Sequence, residues 1–384
     1  MSCNPKSYGA AWSSVFLQTW RDRLRGEHAR ANARLGYLRP PAGEGRLVWI
    51  KAGGTRDSVR LGVELMGAIR QKRHDLRLVL TFEEDYADIL EPRVAGMRKI
   101  GLGFGPCDRP AAVRRTWQRF EPFGVILVDS AFPEHLTRRA NAAGAHLLAF
   151  NTAPGQAPVE AAYPVDVAQA AAWEAAGTAG YVAAPADPHS LFVEAQVDTT
   201  LRSLVTGGEE RELWWWQGPP AEAGDFIRHW RESALADNGV LFVSADGQAA
   251  PADAGADLQI SDWQRQPLAA GSVVWLDDMR WTGAVASAIH AGHLAQAEQT
   301  TLWSALAGGS AISIRPGLSS LHAALAKALQ QCEDTTAVLA LWAGYREAPA
   351  EGRRQGDACR RLFWEERRTL QKTIDEFLQR IFDW

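Results

Sequence analysis

Two neighbouring threonines, Thr300 and Thr301, stand at the start of a helix that the sequence predicts over Thr301–Ala307. Hydroxyl groups and the backbone N–H groups at the positive end of a helix dipole can together bind a phosphate. The same residue types are also ordinary helix N-caps, which satisfy those N–H groups within the chain. Both interpretations stay open, and the two threonines are our candidate phosphate ligands.

Two histidines, His290 and His293, lie three residues apart and shortly before Glu298. A zinc site is disfavoured, because Gly292 intervenes and no carboxylate stands at ligand spacing. A single histidine that binds a phosphate or a sugar hydroxyl is the better interpretation, with His293 as the candidate. We therefore expect no metal site.

Other signatures of catalysis are missing. The pair Gly53-Gly54 follows a predicted strand but has neither a G-x-G-x-x-G pattern nor the lysine of a phosphate-binding loop. No G-x-S-x-G turn marks a serine nucleophile. The cysteines lack C-x-x-C spacing, which argues against a disulfide framework and favours a reducing cytoplasm. These cysteines are Cys3, Cys107, Cys332 and Cys359.

Tryptophan is unusually frequent, with 16 residues against 6 tyrosines. Three of them, Trp214–Trp216, fall in a predicted strand at Leu213–Gln217, where both faces of a parallel sheet bury alternate side chains. The indole nearest the end of the strand could stack on a sugar ring. Core packing is the interpretation that we favour for all three.

Length and composition indicate the elements that must position these residues. A chain of 384 residues is too long for one hydrophobic core, so two domains are expected. A net charge of -4 and a pI near 6.2 argue against a nucleic-acid partner. No apolar run approaches the ~18–20 residues of a membrane span, and no secretory signal is recognised.

Strands and helices alternate twice, which predicts two Rossmann-like α/β domains with parallel sheets, at 46–185 and 210–350. Ligands of such sheets bind at the carboxyl ends of the strands, which here means a central cleft between the domains. The strands predicted in the first domain are Leu47–Lys51, Arg77–Thr81, Lys99–Gly103, Gly124–Asp129 and His146–Asn151. In the second domain, a helix is predicted at 319–331.

Helical segments flank the two domains. Residues 1–45 are rich in arginine and predict either contact with anionic lipid or a solvated helix face. We favour the solvated face, since no wide apolar face matches the arginines. Residues 353–384 carry apolar side chains at three- and four-residue steps, which predicts a helical clasp that bridges the domains and performs no chemistry.

A set of segments in the first domain keeps the order and spacing of a known family. These segments are Arg34-Leu35-Gly36, Leu47–Ile50, Gly105–Arg115, Phe120-Glu121-Pro122, Val125–Val128, Phe132-Pro133 and Ala145–Asn151. Together they resemble the N-terminal domain of the 3-deoxy-D-manno-octulosonic acid (Kdo) transferases of lipopolysaccharide synthesis. The resemblance implies the two-lobed GT-B glycosyltransferase architecture and transfer of a sugar from a CMP-activated donor to a lipid A precursor.

The resemblance also implies site residues. The family's S-V-G-E loop, which ends in the catalytic base, corresponds to Gly53–Asp57, so Asp57 stands in the place of the base. A carboxylate there could accept the proton of the acceptor hydroxyl, but Asp57, Thr55 and Ser58 would all suit the cap of the following helix. Both roles stay open. The implied substrate-binding residues are Gly53, Gly54, Thr55, Arg56, Asp129 and Ser130.

The chain departs from the family at several positions. Ser130 replaces the second glutamate of the family's E-x-E segment, and Glu134 replaces its asparagine. Basic residues that face the donor in the family are missing from Val243–Gly247, where Ser244 is the remaining candidate. Trp303 replaces a glutamate that contacts the donor nucleotide. We recognise no hydrophobic N-terminal anchor.

Two hypotheses follow. The favoured one is a metal-independent, inverting glycosyltransferase without a cofactor, which uses a nucleotide-sugar donor (a CMP-sugar by preference) and a glycolipid or other glycan acceptor. The other is a non-catalytic relative that serves as a binding or assembly protein. Either is expected to be cytoplasmic, and association with the inner membrane surface and a homodimer both stay open.

Overall fold

The computed structural model describes residues 12–193, 203, 205–207, 210–245, 250–251, 254–260, 267–277, 280–295, 299–317 and 328–384. The chain divides into two compact units. The first runs to Pro188 and also includes Thr369–Trp384, and the second is His189–Arg368. Each unit contains one parallel β-sheet, so the expected pair of α/β domains is confirmed.

The sheet of the first unit has six strands, all parallel. They are β1 (Leu47–Ala52), β2 (Arg77–Phe82), β3 (Ile100–Phe104), β4 (Gly124–Val128), β5 (His146–Phe150) and β6 (Ala161–Tyr163). Their spatial order is β3-β2-β1-β4-β5-β6. The first five coincide with the predicted strands to within one residue at each end, whereas β6 was not predicted.

Helices connect these strands and precede them. They are α1 (Trp12–Leu24), α2 (His28–Arg34), α3 (Arg56–Lys72), α4 (Ala87–Val94), α5 (Pro110–Phe120), α6 (Glu134–Ala142) and α7 (Val167–Ala176). Crossover helices are the connections that parallel neighbouring strands require.

The central strands β1 and β4 are buried along their whole length, as expected for a parallel sheet covered on both faces. Trp49 of β1 packs edge-on against Phe120 of α5, with ring centroids 5.4 Å apart. Its indole N–H donates to the Thr81 hydroxyl on β2 at 2.8 Å, so the buried donor is satisfied. The apolar run of β1 therefore fixes the middle of the first sheet.

The segment Gly105–Arg115, shared with the family, has a structural role. The Asp108 carboxylate accepts the backbone N–H groups of His135 at 3.0 Å and Leu136 at 2.9 Å, and so caps α6. The Cys107 N–H donates to the Arg34 carbonyl at 3.1 Å. This segment thus connects α2 with α6.

The arginines of the N-terminal helices differ in exposure: Arg21, Arg23 and Arg25 are exposed, as the solvated-face interpretation expects, whereas Arg34 is not. Arg34 of α2 is only 4% exposed, and its guanidinium donates to the Asp22 carboxylate of α1 at 2.7 Å. The outward face of α1 is apolar, with side chains that are between 52% and 67% exposed. These side chains are Phe16, Leu17, Trp20 and Leu24. No helix is present at 35–45.

The second unit is built in the same way. Its described strands are β7 (Glu212–Gln217), β8 (Gly239–Ser244), β9 (Leu258–Gln259), β10 (Val273–Leu276), β11 (Ala291–Leu294), β12 (Ala311–Ile314) and β13 (Gln330–Gln331), and they lie parallel in the order β13-β12-β11-β7-β8-β10-β9. Its helices are α8 (Pro220–Glu232), α9 (Arg280–Ala288), α10 (Gln299–Gly308), α11 (Thr335–Glu347) and α12 (Pro349–Phe382). The predicted helix at 319–331 is wrong at its end, since Gln330–Gln331 is an edge strand; 318–327 lie outside the described residues. The helix α11 was not predicted.

Tryptophan side chains fill both faces of the second sheet. Trp215 packs on one face together with Trp303, while Trp214 and Trp216 pack on the other. Trp214 stacks on Trp342 of α11, with ring centroids 5.1 Å apart and ring planes 20° apart. The expected core packing of this strand is confirmed.

Among the helices that the structure describes, none is long and apolar enough to cross a bilayer.

The last helix, α12, contributes to both units. From Thr369 onward it belongs to the first unit, where Phe377 packs edge-on against Phe150 and Tyr163 at centroid distances of 5.6 and 5.4 Å. Trp384, just beyond the helix, stacks on His146 at 4.8 Å. The end of the chain is thus part of the core of the first unit, and its service as a clasp between domains stays a prediction.

Phe377→Ala should lower the free energy of unfolding by about 3–5 kcal/mol, because it removes a fully buried aromatic ring and leaves a cavity. Chemical denaturation followed by circular dichroism measures this change. Phe382→Ala is the matched control on the same helix, since that ring is 59% exposed. If the two variants are equally stable, the segment does not stabilise the first unit. The same conclusion follows if the protein that lacks Leu370–Trp384 is as stable as the intact protein.

Candidate functional site

The carboxyl ends of β1 and β4 lie side by side at the point where the strand order of the first sheet reverses. Open α/β sheets bind ligands at such a switch point. The loop after β1 passes close to the end of β4: the Gly53 N–H donates to the Val128 carbonyl at 3.1 Å. A Cβ on Gly53 would lie 2.2 Å from the Asp129 carbonyl oxygen, so only glycine fits there.

Asp129 connects three parts of this site. Its two carboxylate oxygens accept hydrogen bonds from the Thr55 hydroxyl at 3.2 Å and from the Asn151 amide at 3.1 Å. Asp129 and Asn151 follow β4 and β5, and both adopt left-handed backbone conformations, with φ of 42° and 48°. Aspartate and asparagine tolerate this conformation better than most residues, and it is often found at functional sites. The structure thus brings together Gly53, Thr55 and Asp129, as predicted.

Thr55 is the N-cap of α3. Its hydroxyl accepts the Ser58 N–H, and the Ser58 hydroxyl accepts the Thr55 N–H, which completes a capping box. Asp57 lies in the first turn of α3 and is not the cap, so the cap interpretation of Asp57 is wrong. Its carboxylate is half-buried beside the Arg60 guanidinium. A role as proton acceptor stays open.

The other predicted substrate-binding residues are Arg56 and Gly54 of this loop and Ser130 after β4. Arg56 is exposed, forms an ion pair with Asp88, and lies 5.8 Å from the centre of the Tyr86 ring. Gly54 accepts the Tyr86 hydroxyl on its carbonyl at 3.2 Å. Ser130 is half-buried, and within the described part of the chain its hydroxyl has no hydrogen-bond partner. The hydroxyl oxygen itself is buried, and the contact of Ser130 with a substrate stays a prediction.

Sequence reasoning missed an ion pair at the end of β2. The Lys51 ammonium, 5% exposed, lies 3.8 Å from the Glu83 carboxylate. Burial raises the pKa of Glu83, and the Lys51 charge only partly offsets this effect. A Cβ on Gly54 would lie 3.1 Å from a Glu83 carboxylate oxygen, so Glu83 borders the loop directly. The position of Glu83 directly after β2 was the one signal of a site that the sequence offered. Its ion pair with Lys51 could be found only in the structure.

The first site can therefore bind hydroxyl groups and accept a proton. Asp57 follows the Gly53–Thr55 loop and Glu83 borders it, and a buried carboxyl of raised pKa, such as that of Glu83, is typical of groups that exchange protons. Within the described residues, no group of three or more His, Cys, Asp or Glu side chains is placed to hold a metal ion.

In the second unit, the predicted ligand Ser244 lies at the carboxyl end of β8 and is 1% exposed. Its hydroxyl accepts the Trp215 indole N–H at 3.0 Å. The serine thus satisfies a buried donor of the core, and this geometry does not favour direct contact with a ligand.

His293 lies inside the second sheet and is 2% exposed. Its Nδ1 is 3.0 Å from the Ser313 hydroxyl on the next strand. Burial, with a smaller contribution from the Arg315 charge, lowers the pKa of His293 to about 3. The ring is neutral and enclosed, which does not favour the predicted contact with a phosphate.

Both threonines lie in the first turn of α10, which begins at Gln299. Thr301 is 1% exposed, and no described residue accepts or donates a hydrogen bond at its hydroxyl. Thr300 lies in the first turn, but its side chain is outside the described residues. Trp303 is buried against Phe363 with ring centroids 6.3 Å apart. The indole therefore fills core volume where the family has a glutamate that contacts the nucleotide.

Solved structures of similar fold identify the fold class. The chain is similar to Anabaena HepE in complex with UDP-glucose, at 10% identity over 88% of this chain and 100% of that one, with a TM-score of 0.54. It is also similar to S. aureus MnaA with UDP, at 10% identity over 82% of this chain and 91% of that one, with a TM-score of 0.52. A putative UDP-N-acetylglucosamine 2-epimerase from Listeria monocytogenes is similar at 9% identity over 83% of this chain and 95% of that one, with a TM-score of 0.50. At these identities the likeness shows the fold alone: two parallel-sheet α/β domains of the GT-B type.

The family comparison is more specific and covers the first site. Residues 29–156 match the family model of the 3-deoxy-D-manno-octulosonic-acid transferases (kdotransferases). The resemblance found in the sequence is thereby confirmed for this stretch, which contains Gly53–Asp57 and Asp129-Ser130. No curated protein matches the chain by sequence.

His293 should make the protein sensitive to acid. The folded protein holds the ring neutral, with a pKa of about 3, whereas the unfolded chain binds a proton near pH 6.5. The stability that depends on the neutral ring is fully present above about pH 6.5 and is lost as the pH falls towards 3, by up to about 1.4 kcal/mol per pH unit. His293→Gln should flatten the pH dependence of urea unfolding between these limits.

The control is His74→Gln, because His74 is exposed. It should leave the slope unchanged. A His293→Gln protein with the full acid slope of the parent would show that other groups cause the loss of stability.

Proposed function

We propose that the protein is a glycosyltransferase of the Kdo-transferase type, which transfers a sugar from a nucleotide-activated donor to a glycolipid or other glycan acceptor. The observation that supports it best is the Gly53–Asp57 loop, which lies at the switch point of the first sheet and inside the matched stretch 29–156. Relatives in fold, such as HepE, are seen with UDP-glucose or UDP, which supports a nucleotide-sugar donor.

In the proposed reaction, the acceptor binds at the first site. Asp57 accepts the proton of the acceptor hydroxyl, and the oxygen attacks the anomeric carbon on the face opposite the leaving nucleotide, so the configuration inverts. Hydrogen bonds from the acceptor to Thr55, Asp129 and Ser130 would hold that hydroxyl in place, and Arg56 is available to an anionic acceptor group. Glu83 is the second carboxyl that could take the proton.

The donor is assigned to the second unit. The start of α10 at Gln299, with Thr300, is the proposed place for the donor phosphate, because backbone N–H groups at a helix start favour an anion. A CMP-sugar is favoured by the family resemblance. We assign Ser244 and His293 the task of holding β8, β11 and the core in place behind the donor.

A non-catalytic relative is the second candidate, and one observation favours it. Trp303, which replaces the family's nucleotide-contacting glutamate, is 1% exposed and packed in the core. A nucleotide contact has been exchanged for apolar packing, as expected if the donor site were no longer needed.

Binding and transfer tests separate the two candidates. CMP and CMP-sugars should raise the melting temperature of the intact protein more than UDP does, since a ligand of the folded state stabilises it. Asp57→Asn should keep this shift and lower transfer from a CMP-sugar by at least about 100-fold, the usual effect of losing a general base. Radiolabelled transfer to a lipid A precursor provides the measurement.

Asp237→Asn is the control, because it makes the same charge change at an exposed position of the second unit. Nucleotide binding without any transfer by the parent protein would support the non-catalytic relative. Full transfer by Asp57→Asn would show that another group accepts the proton, and Glu83→Gln would then be tested.

Peripheral association with a membrane surface is part of the proposal. The apolar residues Phe16, Trp20 and Leu24 follow each other at four-residue steps on the outward face of α1, opposite the buried Val15. The exposed guanidinium groups of Arg21 and Arg23 lie on the same helix. An exposed apolar stripe flanked by cations is typical of helices that lie in the interface of an anionic bilayer.

Vesicle sedimentation tests this association. The protein should pellet with vesicles that contain phosphatidylglycerol, and the double substitution Trp20→Ser, Leu24→Ser should weaken binding at least about tenfold, since each buried apolar side chain contributes roughly 1.5–3 kcal/mol. Val167→Ser, at an exposed apolar position of α7, is the control. Unchanged sedimentation of the double variant contradicts the proposal.

A further inference from the structure

A cavity lies at the end of the second sheet that is opposite to the proposed donor site. It has a volume of about 370 Å³ and opens beside the amino ends of β7, β11 and β12, where Glu212, His290 and Ser310 lie. Its other walls come from the end of α10, the end of α11 and the beginning of α12. Every lining residue belongs to the second unit.

The charge of the lining is predominantly positive. Three guanidinium groups face one carboxylate: Arg346, Arg353 and Arg360 against Glu212. Arg360 donates to the Gly308 carbonyl at 2.9 Å, and Arg346 lies 3.9 Å from Glu212. Arg353 is exposed at the rim, and within the described part of the chain it forms no ion pair. The excess of positive charge favours an anion.

One neutral group of the lining is also a donor. His290 accepts the Leu213 N–H on Nδ1 at 2.8 Å, which puts the proton of the neutral ring on Nε2. Tyr345 and Trp214 also line the cavity, but the Tyr345 hydroxyl and the Trp214 indole N–H are themselves buried and not exposed to it. The arginines therefore supply the main binding groups of the cavity.

We propose that this cavity binds a phosphorylated small molecule, with the phosphate held by Arg353 and Arg360. Guanidinium groups match phosphate oxygens in charge and geometry. A volume in the range of small-molecule sites leaves room for an organic part beside the phosphate. The site is separate from the carboxyl ends of the strands, so it would serve a ligand other than the proposed donor.

Calorimetric titration of the intact protein with inorganic phosphate, pyrophosphate and glucose 6-phosphate tests the proposal. At least one probe should bind in the millimolar range or tighter. Arg353→Glu should weaken that binding at least about tenfold, because it replaces an attraction with a repulsion. Arg354→Glu is the matched control: it is the next residue of the same helix, is exposed, and does not line the cavity. It should change the affinity by less than about twofold.

Arg353→Gln provides a second variant, which removes the charge without reversing it. It should weaken binding about threefold to tenfold and leave the melting temperature of the free protein unchanged, since Arg353 is exposed. Absence of binding of all three probes overturns the proposal. Equal weakening by Arg353→Glu and Arg354→Glu also overturns it, since binding would then reflect the charge of the helix surface alone.

Discussion

The close approach of two strand ends is the constraint on which the first unit depends. Because residue 53 has no side chain, the loop after β1 can lie against the Asp129 carbonyl at the end of β4. Thr55 then reaches the Asp129 carboxylate while it caps α3, so one hydroxyl joins the start of a helix to the edge of the sheet. The placement of Asp57, in the first turn of that helix, follows from this contact. Any larger residue at 53 would separate the strand ends and move the candidate base.

The sequence allowed the sheets to be predicted better than their surroundings. Strands such as β1 and β4 are short apolar runs, because both of their faces are buried, and such runs are visible without a structure. The strand β6 has three residues and β13 has two, which is too few for a pattern. The predicted members of the first site, Thr55 and Asp129, follow strands directly. Lys51 and Glu83 were missed because their pairing joins the ends of β1 and β2, which are separated along the chain by α3.

Burial separates the predicted residues of the second unit from those of the first. Ser244 and His293 have polar side chains at the carboxyl half of a strand, which is also what a ligand site requires, so sequence alone cannot distinguish the two uses. In the structure each one satisfies a neighbour, Trp215 or Ser313, within the core. A sheet whose faces are filled with indole places N–H donors in the core, and Ser244 accepts the one of Trp215. One polar residue that resembled a ligand of the site thus serves the packing of tryptophan.

The stacked pair Trp214 and Trp342 has an optical consequence. Two indoles whose centres are 5.1 Å apart and whose planes are tilted by 20° absorb light as a coupled chromophore rather than as two independent ones. Their coupling gives a paired positive and negative band in the circular dichroism spectrum, and it vanishes as soon as the rings separate. Because both residues belong to the second unit, this band reports the integrity of that unit alone. Unfolding of the second unit can then be followed without any added label.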